Sequence, residues 1–181
     1  LQAVSGAGYP GPGSIDMVDN IIPYIGGEEE KSEIEPQKVW GKVEKGKIVY
    51  NDSIAISAHC NRVAVTDGHT ACVSVKFKGK KPEIQEIKDL WQNFKAIPQE
   101  LGLPFAPERP IIYREETDRP QPRKDRNADK AMAVAVGRLR ECNVFDYRFV
   151  GLSHNTIRGA AGGAILIAEL LKAEGYITTE K

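Results

Sequence analysis

No apolar run in the sequence approaches the roughly 20 residues that carry a helix across a bilayer. No basic segment leads into an apolar one, so no secretory signal is visible. Charge of either sign is not in excess. Lys plus Arg number 25 and Asp plus Glu number 25. That balance argues against a general nucleic-acid binder, which carries a basic surplus. Cysteine is scarce. Cys60, Cys72 and Cys142 are odd in number and widely spaced, so neither a disulfide framework nor a CxxC metal site follows. A reduced, cytoplasmic setting with inert, buried thiols is the expectation. There is no internal repeat. What is present is ordinary: 41% apolar and 28% charged residues over 181 positions suit one sizeable domain and exclude wholesale disorder.

The chain opens on a glycine-rich stretch in which Gly6, Gly8 and Gly11 formally match GxGxxG. A dinucleotide-binding turn is rejected, because no full strand precedes Gly6 and Pro10 and Pro12 interrupt the helix that should follow. Glu28-Glu29-Glu30-Lys31 begins a helical pattern, with acids at the positive end of the helix dipole. Pro36 should end that helix, kink it or open a second one. Residues 47–79 read as β structure. Ile54, Ile56, Ala58 and Cys60 alternate, a bulge near Asn61 shifts the phase, and Asp67-Gly68 is a hairpin-type signal. After it, His69, Ala71, Val73, Val75 and Phe77 share one face.

Residues 82–94 suit an amphipathic helix with Ile84, Ile87, Leu90 and Trp91 inward. Residues 98–123 hold six of the eleven prolines and should be largely irregular. Strands are expected from Met132 to Arg140 and from Tyr147 to Ser153. A final helix is expected over 159–174, buried along Ala161, Ala164, Ile165, Ala168 and Leu171 and capped by Gly175. The order implies an α+β domain with a mixed, mainly antiparallel sheet covered by helices.

Chemistry-bearing residues stand out by type and place. His69 lies where a turn meets a strand, which suits a rigidly held, accessible general base; the face it shares with Ala71 and Val73 fits a satisfied core or rim histidine better. Arg62 is an odd offset from His69, so only the intervening turn can bring the two together, and Arg suits a carboxylate. Glu28 and Lys31, three apart, fit a solvated ion pair or a site for an ammonium and an anion. Gly159, Gly162 and Gly163 cost helix stability, about 1 kcal/mol each relative to Ala. Close packing offsets that cost.

Six segments carry a family resemblance: Gln2–Gly8, Tyr24–Lys31, Asn61–Thr70, Arg119–Arg123, Val136–Arg140 and Asn155–Gly162. In this order they resemble aspartate-semialdehyde dehydrogenase, most closely its archaeal and fungal branch. The resemblance covers the later part of such an enzyme: a catalytic and dimerisation domain over residues 1–181, like the C-terminal domain of the glyceraldehyde-3-phosphate dehydrogenase fold. The NADP-binding Rossmann domain and the nucleophilic Cys of the family are not found in this chain, so the chain alone is expected to be inactive.

The resemblance implies the residue roles. His69 is the acid/base serving the Cys and Gln2 orients the acyl intermediate. Arg62 clamps the substrate carboxylate and Glu28 takes its amino group. Among Glu28, Glu29 and Glu30, the spacing to Lys31 selects Glu28. Lys31 binds phosphate. Ser5, Gly6 and Asn155 line the nicotinamide end of NADP. The implied activity is NADP-dependent interconversion of aspartyl phosphate and aspartate semialdehyde in amino-acid biosynthesis. The implied partners are aspartate semialdehyde, phosphate, NADP and a second copy of the chain. No metal, nucleic acid or membrane is implied. Two alternatives are a thioester reductase of the malonyl-CoA reductase type, which would need no Glu28/Lys31 pair, and a non-enzymatic self-associating module. A dimer contact is expected around residues 131–153, where Met132, Val134, Val136, Phe145 and Phe149 supply apolar surface.

Overall fold

The computed structural model describes residues 1–178. Residues 1–5 run alongside 61–66: the Gln2 N–H donates to Asn61 O and the Val4 N–H to Val65 O, both at 2.8 Å. A 3-10 turn, Val4–Ala7, and a short helix α1, Ser14–Met17, follow. Helix α2 spans Glu28–Val39, with Pro36 inside it. The proline neither ends nor starts a helix, because it lies one turn from the C-terminus, where a single lost bond is tolerated. Strands β1, Lys42–Glu44, and β2, Lys47–Val49, form a small separate hairpin. Its turn residues Lys45 and Gly46 have φ of 50° and 74°, as a type I′ turn requires.

The principal sheet has four strands in the order β3-β6-β5-β4: β3 is His69–Val75, β4 Ile111–Arg114, β5 Val134–Glu141 and β6 Tyr147–Ser153. The β3/β6 and β5/β6 pairs are antiparallel and β4/β5 is parallel. The sheet is therefore mixed and mainly antiparallel. Helix α3, Ile84–Asn93, opens with a capping box between Glu83 and Glu86. It lays Ile87 and Trp91 on one face of the sheet, against Tyr113, Leu139, Tyr147 and Phe149. The Tyr147 hydroxyl donates to Pro82 O at 2.6 Å, so the buried phenol is satisfied. The parallel β4/β5 pair needs a crossover. Residues 115–133 supply it through the single turns α5, Pro122–Asp125, and α6, Ala128–Ala131. Another single turn, α4, Ile97–Glu100, and strand β4 give order to the proline-rich stretch, which was expected to be largely irregular.

Other expectations are corrected. Residues 51–68 form no strand of a named sheet; only isolated bridges from Arg62 to Gln2 and Ile22 are made there. The reason is competition for the backbone. Side chains of α2 take the groups a neighbouring strand would have taken. The Ala58 N–H donates to Glu33 Oε1 and the Cys60 N–H to Glu29 Oε1, both at 2.9 Å, while Gln37 Nε2 donates to Ile54 O at 3.2 Å. Asp67-Gly68 is consequently no hairpin, and β3 finds its partner in β6.

The last helix, α7, is Gly162–Ala173, preceded by a π-type turn, and Gly175 has the left-handed φ of 79° expected of its cap. Its expected stripe is exposed, and Gly162 and Leu166 are the buried residues. Apolar residues surround this helix, so periodicity alone names no face. Close packing names it: a Cβ on Gly162 would stand 2.5 Å from Met132 Sδ and 2.9 Å from Phe105 Cε1. Of the three thiols only Cys60 is buried; Cys72 is exposed and Cys142 half-buried. They lie on the side of the sheet away from α3, where strand alternation sends alternate residues.

Candidate active site

Four segments distant in sequence meet at the edge of β3. The N-terminal segment brings Gln2, Ser5 and Gly6. The first turn of α2 brings Glu28 and Lys31. The extended stretch brings Arg62 and the start of β3 brings His69. Asn155, just after β6, closes the cluster. All eight residues singled out in the sequence are joined here by direct contact.

Arg62 is buried, at 6% exposure. Its Nη1 donates to Ala3 O at 2.8 Å and to Gln2 Oε1 at 3.4 Å. Among the described residues, its Nε and Nη2 have no hydrogen-bonded partner, so a forked pair of donors is left for an anion. Gln2 reaches the other way, its Nε2 donating to Glu28 Oε2 at 2.7 Å. Glu28 Oε1 accepts from Lys31 Nζ at 2.8 Å. The hydrogen bonds from Lys31 and Gln2, against a small cost of burial, hold the Glu28 carboxyl below its ordinary pKa. It is a carboxylate at neutral pH. The same pair, acting first through the hydrogen bond to Glu28, raises Lys31, whose ammonium is largely exposed. Of the neighbouring acids, Glu29 is committed to the Cys60 N–H. Glu28 is thus the member of the run that faces Gln2.

His69 is half-buried. Its Nδ1 accepts the Ala3 N–H at 3.1 Å. Only a bare nitrogen can accept, so the ring proton of the neutral form is assigned to Nε2. Burial and then the positive Arg62 lower its pKa from the usual 6.5. The resting ring is therefore neutral at pH 7 and presents an N–H away from Ala3. Gly6 presses on it directly: a Cβ there would lie 2.9 Å from Arg62 Nη1, 2.9 Å from His69 Cε1 and 3.0 Å from His69 Nε2. A side chain at this position would fill the space between the 3-10 turn and the two functional groups. Asn155 completes the frame. Its Oδ1 accepts the Gly68 N–H at 2.8 Å and its Nδ2 donates to Ser5 Oγ at 2.9 Å.

The arrangement brings a guanidinium, a carboxylate, an ammonium and a neutral imidazole into one cluster. It can grip a small zwitterion with an additional anion and exchange a proton beside it. No cysteine is hydrogen-bonded to His69 among the described residues. No cluster of three metal-ligating side chains occurs among them either. No described helix is long and apolar enough to cross a membrane. Sequence reasoning missed Asp125. Its buried carboxylate binds Arg119 and holds the α5 crossover turn against the site. The one signal for it in the sequence is an acid among the basic residues from Arg119 to Arg126.

Residues 1–158 match the family described as semialdehyde dehydrogenase, dimerisation domain. Aspartate-semialdehyde dehydrogenase of Saccharomyces cerevisiae is 48% identical over 183 residues, covering 98% of this chain and 50% of the relative. The enzyme of the same name from Methanothermobacter thermautotrophicus is 48% identical over 173 residues, covering 94% and 49%. A crystal structure of aspartate semialdehyde dehydrogenase with NADP from Candida albicans superposes with a TM-score of 0.89 at 44% identity, over 98% of this chain and 50% of that one. The Vibrio cholerae enzyme II complexed with ASA gives 0.72 at 25% identity, over 98% and 54%. The chain spans about half the length of the curated relatives it matches.

Proposed function

The chain belongs to the semialdehyde dehydrogenase dimerisation-domain family, and from that premise we propose that it is the substrate-binding and dimerising half of an aspartate-semialdehyde dehydrogenase. Its complement is a Rossmann-type half carrying the nucleophilic cysteine. The proposed reaction converts aspartyl phosphate reversibly to aspartate semialdehyde and phosphate, with NADPH as reductant. The observation that carries this reading is the convergence of Gln2, Glu28, Arg62 and His69 beside Gly6.

The roles follow from charge and reach. The free donors of Arg62 take the substrate carboxylate, and the ionised Glu28 takes its ammonium. Lys31, paired to Glu28 yet exposed, meets the phosphate. Gln2 lies between Arg62 and Glu28, and so orients the acyl group between the two groups that hold the substrate. His69 exchanges protons with the sulfur and the carbonyl oxygen as the thioester forms and is consumed. Its neutral resting state costs nothing to maintain at pH 7, whereas a protonated ring would forfeit the Ala3 hydrogen bond. Ser5 Oγ and the Asn155 amide offer a polar edge fit for a nicotinamide carboxamide, and Gly6 keeps the space next to His69 clear of side chain. The hydride is the chemistry that NADP contributes when bound. A thioester reductase of the malonyl-CoA type would have no use for the 2.8 Å Glu28–Lys31 pair, which favours the first reading.

The test uses the full-length protein. His69→Asn should lower kcat by about 10²–10⁴, the span of a general acid/base. Arg62→Leu should chiefly raise KM for the semialdehyde. The 181-residue chain alone should show no phosphate-dependent NADP reduction. Turnover by that chain, or a His69→Asn enzyme within about twofold of the parent, far short of that span, would overturn the reading.

A further inference from the structure

The turn that delivers His69 is held from two sides, and one of the groups that hold it, Arg126, has no part in the roles above. One residue ahead of the peptide that joins Gly68 to His69, Asp67 and Gly68 share one peptide group. Its carbonyl accepts from Arg126 Nη1 at 3.2 Å, and its N–H donates to Asn155 Oδ1 at 2.8 Å. Both ends of a single peptide plane are therefore fixed, from opposite parts of the chain. Gly68 is buried with φ of 102°, and a Cβ on it would stand 3.2 Å from Leu152 Cδ1, 3.3 Å from Pro122 Cβ and 3.4 Å from Arg126 Cβ. The turn has no room to shift towards the sheet or the crossover.

Arg126 is itself anchored. It directly follows Asp125, whose side chain is fully buried and bound by Arg119 and by the Gln121 N–H. A surface cation would extend into water. This one is half-buried and spends a guanidinium donor on a backbone carbonyl 59 positions away.

We propose that Arg126 is a positioning residue for His69: by holding the Asp67 carbonyl it fixes the peptide that enters β3 and keeps the imidazole seated against Ala3 and Gly6. The inference rests on the reading of His69 as the acid/base group. Its physical core is reach. The Ala3 N–H to His69 Nδ1 bond, 3.1 Å long, is directional, so a rotation passed through Gly68 into His69 misaligns and weakens it. Once that bond is lost, neither the tautomer nor the partial burial of the ring is defined.

Imidazole NMR on the histidine-labelled full-length protein separates positioning from charge. Burial and then Arg62, not Arg126, lead the influences on the His69 pKa. His154, by contrast, is a buried ring lowered by burial and by Arg126 and raised by Asp67. Arg126→Met keeps the stem that packs on Gly68 and removes the donor and the charge. Both rings should then titrate at higher pH, His154 through charge and His69 through loosened seating, and the His69 Nε2–H signature should give way to a tautomer mixture. Arg126→Lys restores one donor and the charge and should return both. In the same variants kcat should fall roughly 10- to 100-fold for Met and recover for Lys, with KM for the semialdehyde within about twofold.

A His69 titration unchanged in Arg126→Met while His154 moves would overturn the proposal. If that variant does not fold, Asn155→Ala releases the other end of the same peptide. It must move His69 in the same direction, and an unmoved ring there also overturns the proposal. A parent enzyme inactive on the semialdehyde would sink the acid/base reading instead, leaving the two titrations to decide the positioning role.

Discussion

Replacing Asp125 by Asn tests whether the crossover turn is held by charge or by shape. The side chain of Asp125 is fully buried, whereas those of Arg119 and Arg114 are 17% and 28% exposed. Arg119 Nε donates to Oδ2 at 2.6 Å, and its Nη2 meets Oδ1. The Gln121 N–H also donates to Oδ2, at 2.7 Å, and Arg114 Nε lies 2.9 Å from Oδ1. Both carboxylate oxygens thus face donors. Whichever way an amide is turned, its NH₂ opposes a guanidinium N–H, and two cations lose their counter-ion. Breaking a buried pair costs about 3–5 kcal/mol, and the partial exposure of both arginines selects the lower end, about 3. In a chain of this size each kcal/mol moves Tm by roughly 2–4 °C, so a fall of about 6–12 °C is expected.

The assay is urea and thermal unfolding of parent and variant at several pH values. Burial alone pushes the Asp125 carboxyl up, but Arg119, the Gln121 N–H and Arg114 outweigh it and leave its pKa lowered. The stability it contributes is complete above the unfolded value near 3.9 and is lost as pH falls through its lower folded value. The gap between parent and Asn variant should be widest at neutral pH and close on acidification. A loss below about 1 kcal/mol at pH 7, or a gap indifferent to acid, would refute the reasoning.

Gly162→Ala should cost about 1–3 kcal/mol despite the better helix propensity of Ala, because its Cβ meets Met132, Phe105 and the Ile157 carbonyl; a raised Tm would contradict this. Gly159→Ala, whose Cβ would have its nearest neighbour at 3.8 Å, should be neutral or mildly stabilising in the same measurement. Sedimentation at micromolar concentration should show at least twice the 19.9 kDa of one chain, and a single species at that mass would exclude self-association. Of the apolar residues expected at that contact, Phe145 is 46% exposed and stays available, whereas three are committed within the chain. Met132 and Val136 are core residues at 0% and 5% exposure, and Phe149 packs on Trp91. The face left for a second copy is the side of the sheet bearing Cys72, Ser74 and Arg148.

What the sequence disclosed depended on whether one physical cause produced the pattern. Tyr147–Ser153 alternates because a sheet packs on α3 from one side, and it was read to the residue. Ile54 to Cys60 alternates as well, yet its backbone is clasped by Glu29, Glu33 and Gln37 from α2, so alternation there recorded half-burial without a ladder. The buried face of α7 was illegible for the opposite reason. Its residues are apolar all round, and the deciding feature is the bare backbone of Gly162. At the site, Arg62 and His69 could be joined on paper by the turn between them. Glu28 and Lys31 needed their motif to be more than a surface pair. Arg126 stayed hidden because its function runs through a main-chain carbonyl, which leaves no mark on side-chain spacing.

The bond from Asn155 to Ser5 spans 150 positions, and this has a consequence for how the protein comes into being. Loop-closure entropy is spent before such a contact returns anything, so this contact is among the last to form. During synthesis the turn that carries Ser5 must wait for Asn155 to leave the ribosome, a delay on the order of 10 s at ordinary elongation rates. Through that interval Arg62 and His69 have Gln2, Ala3 and Gly6 within the chain already made, but not the Asn155 clasp on the turn before His69. The frame of the cluster is complete only when two residues 150 positions apart have closed on each other.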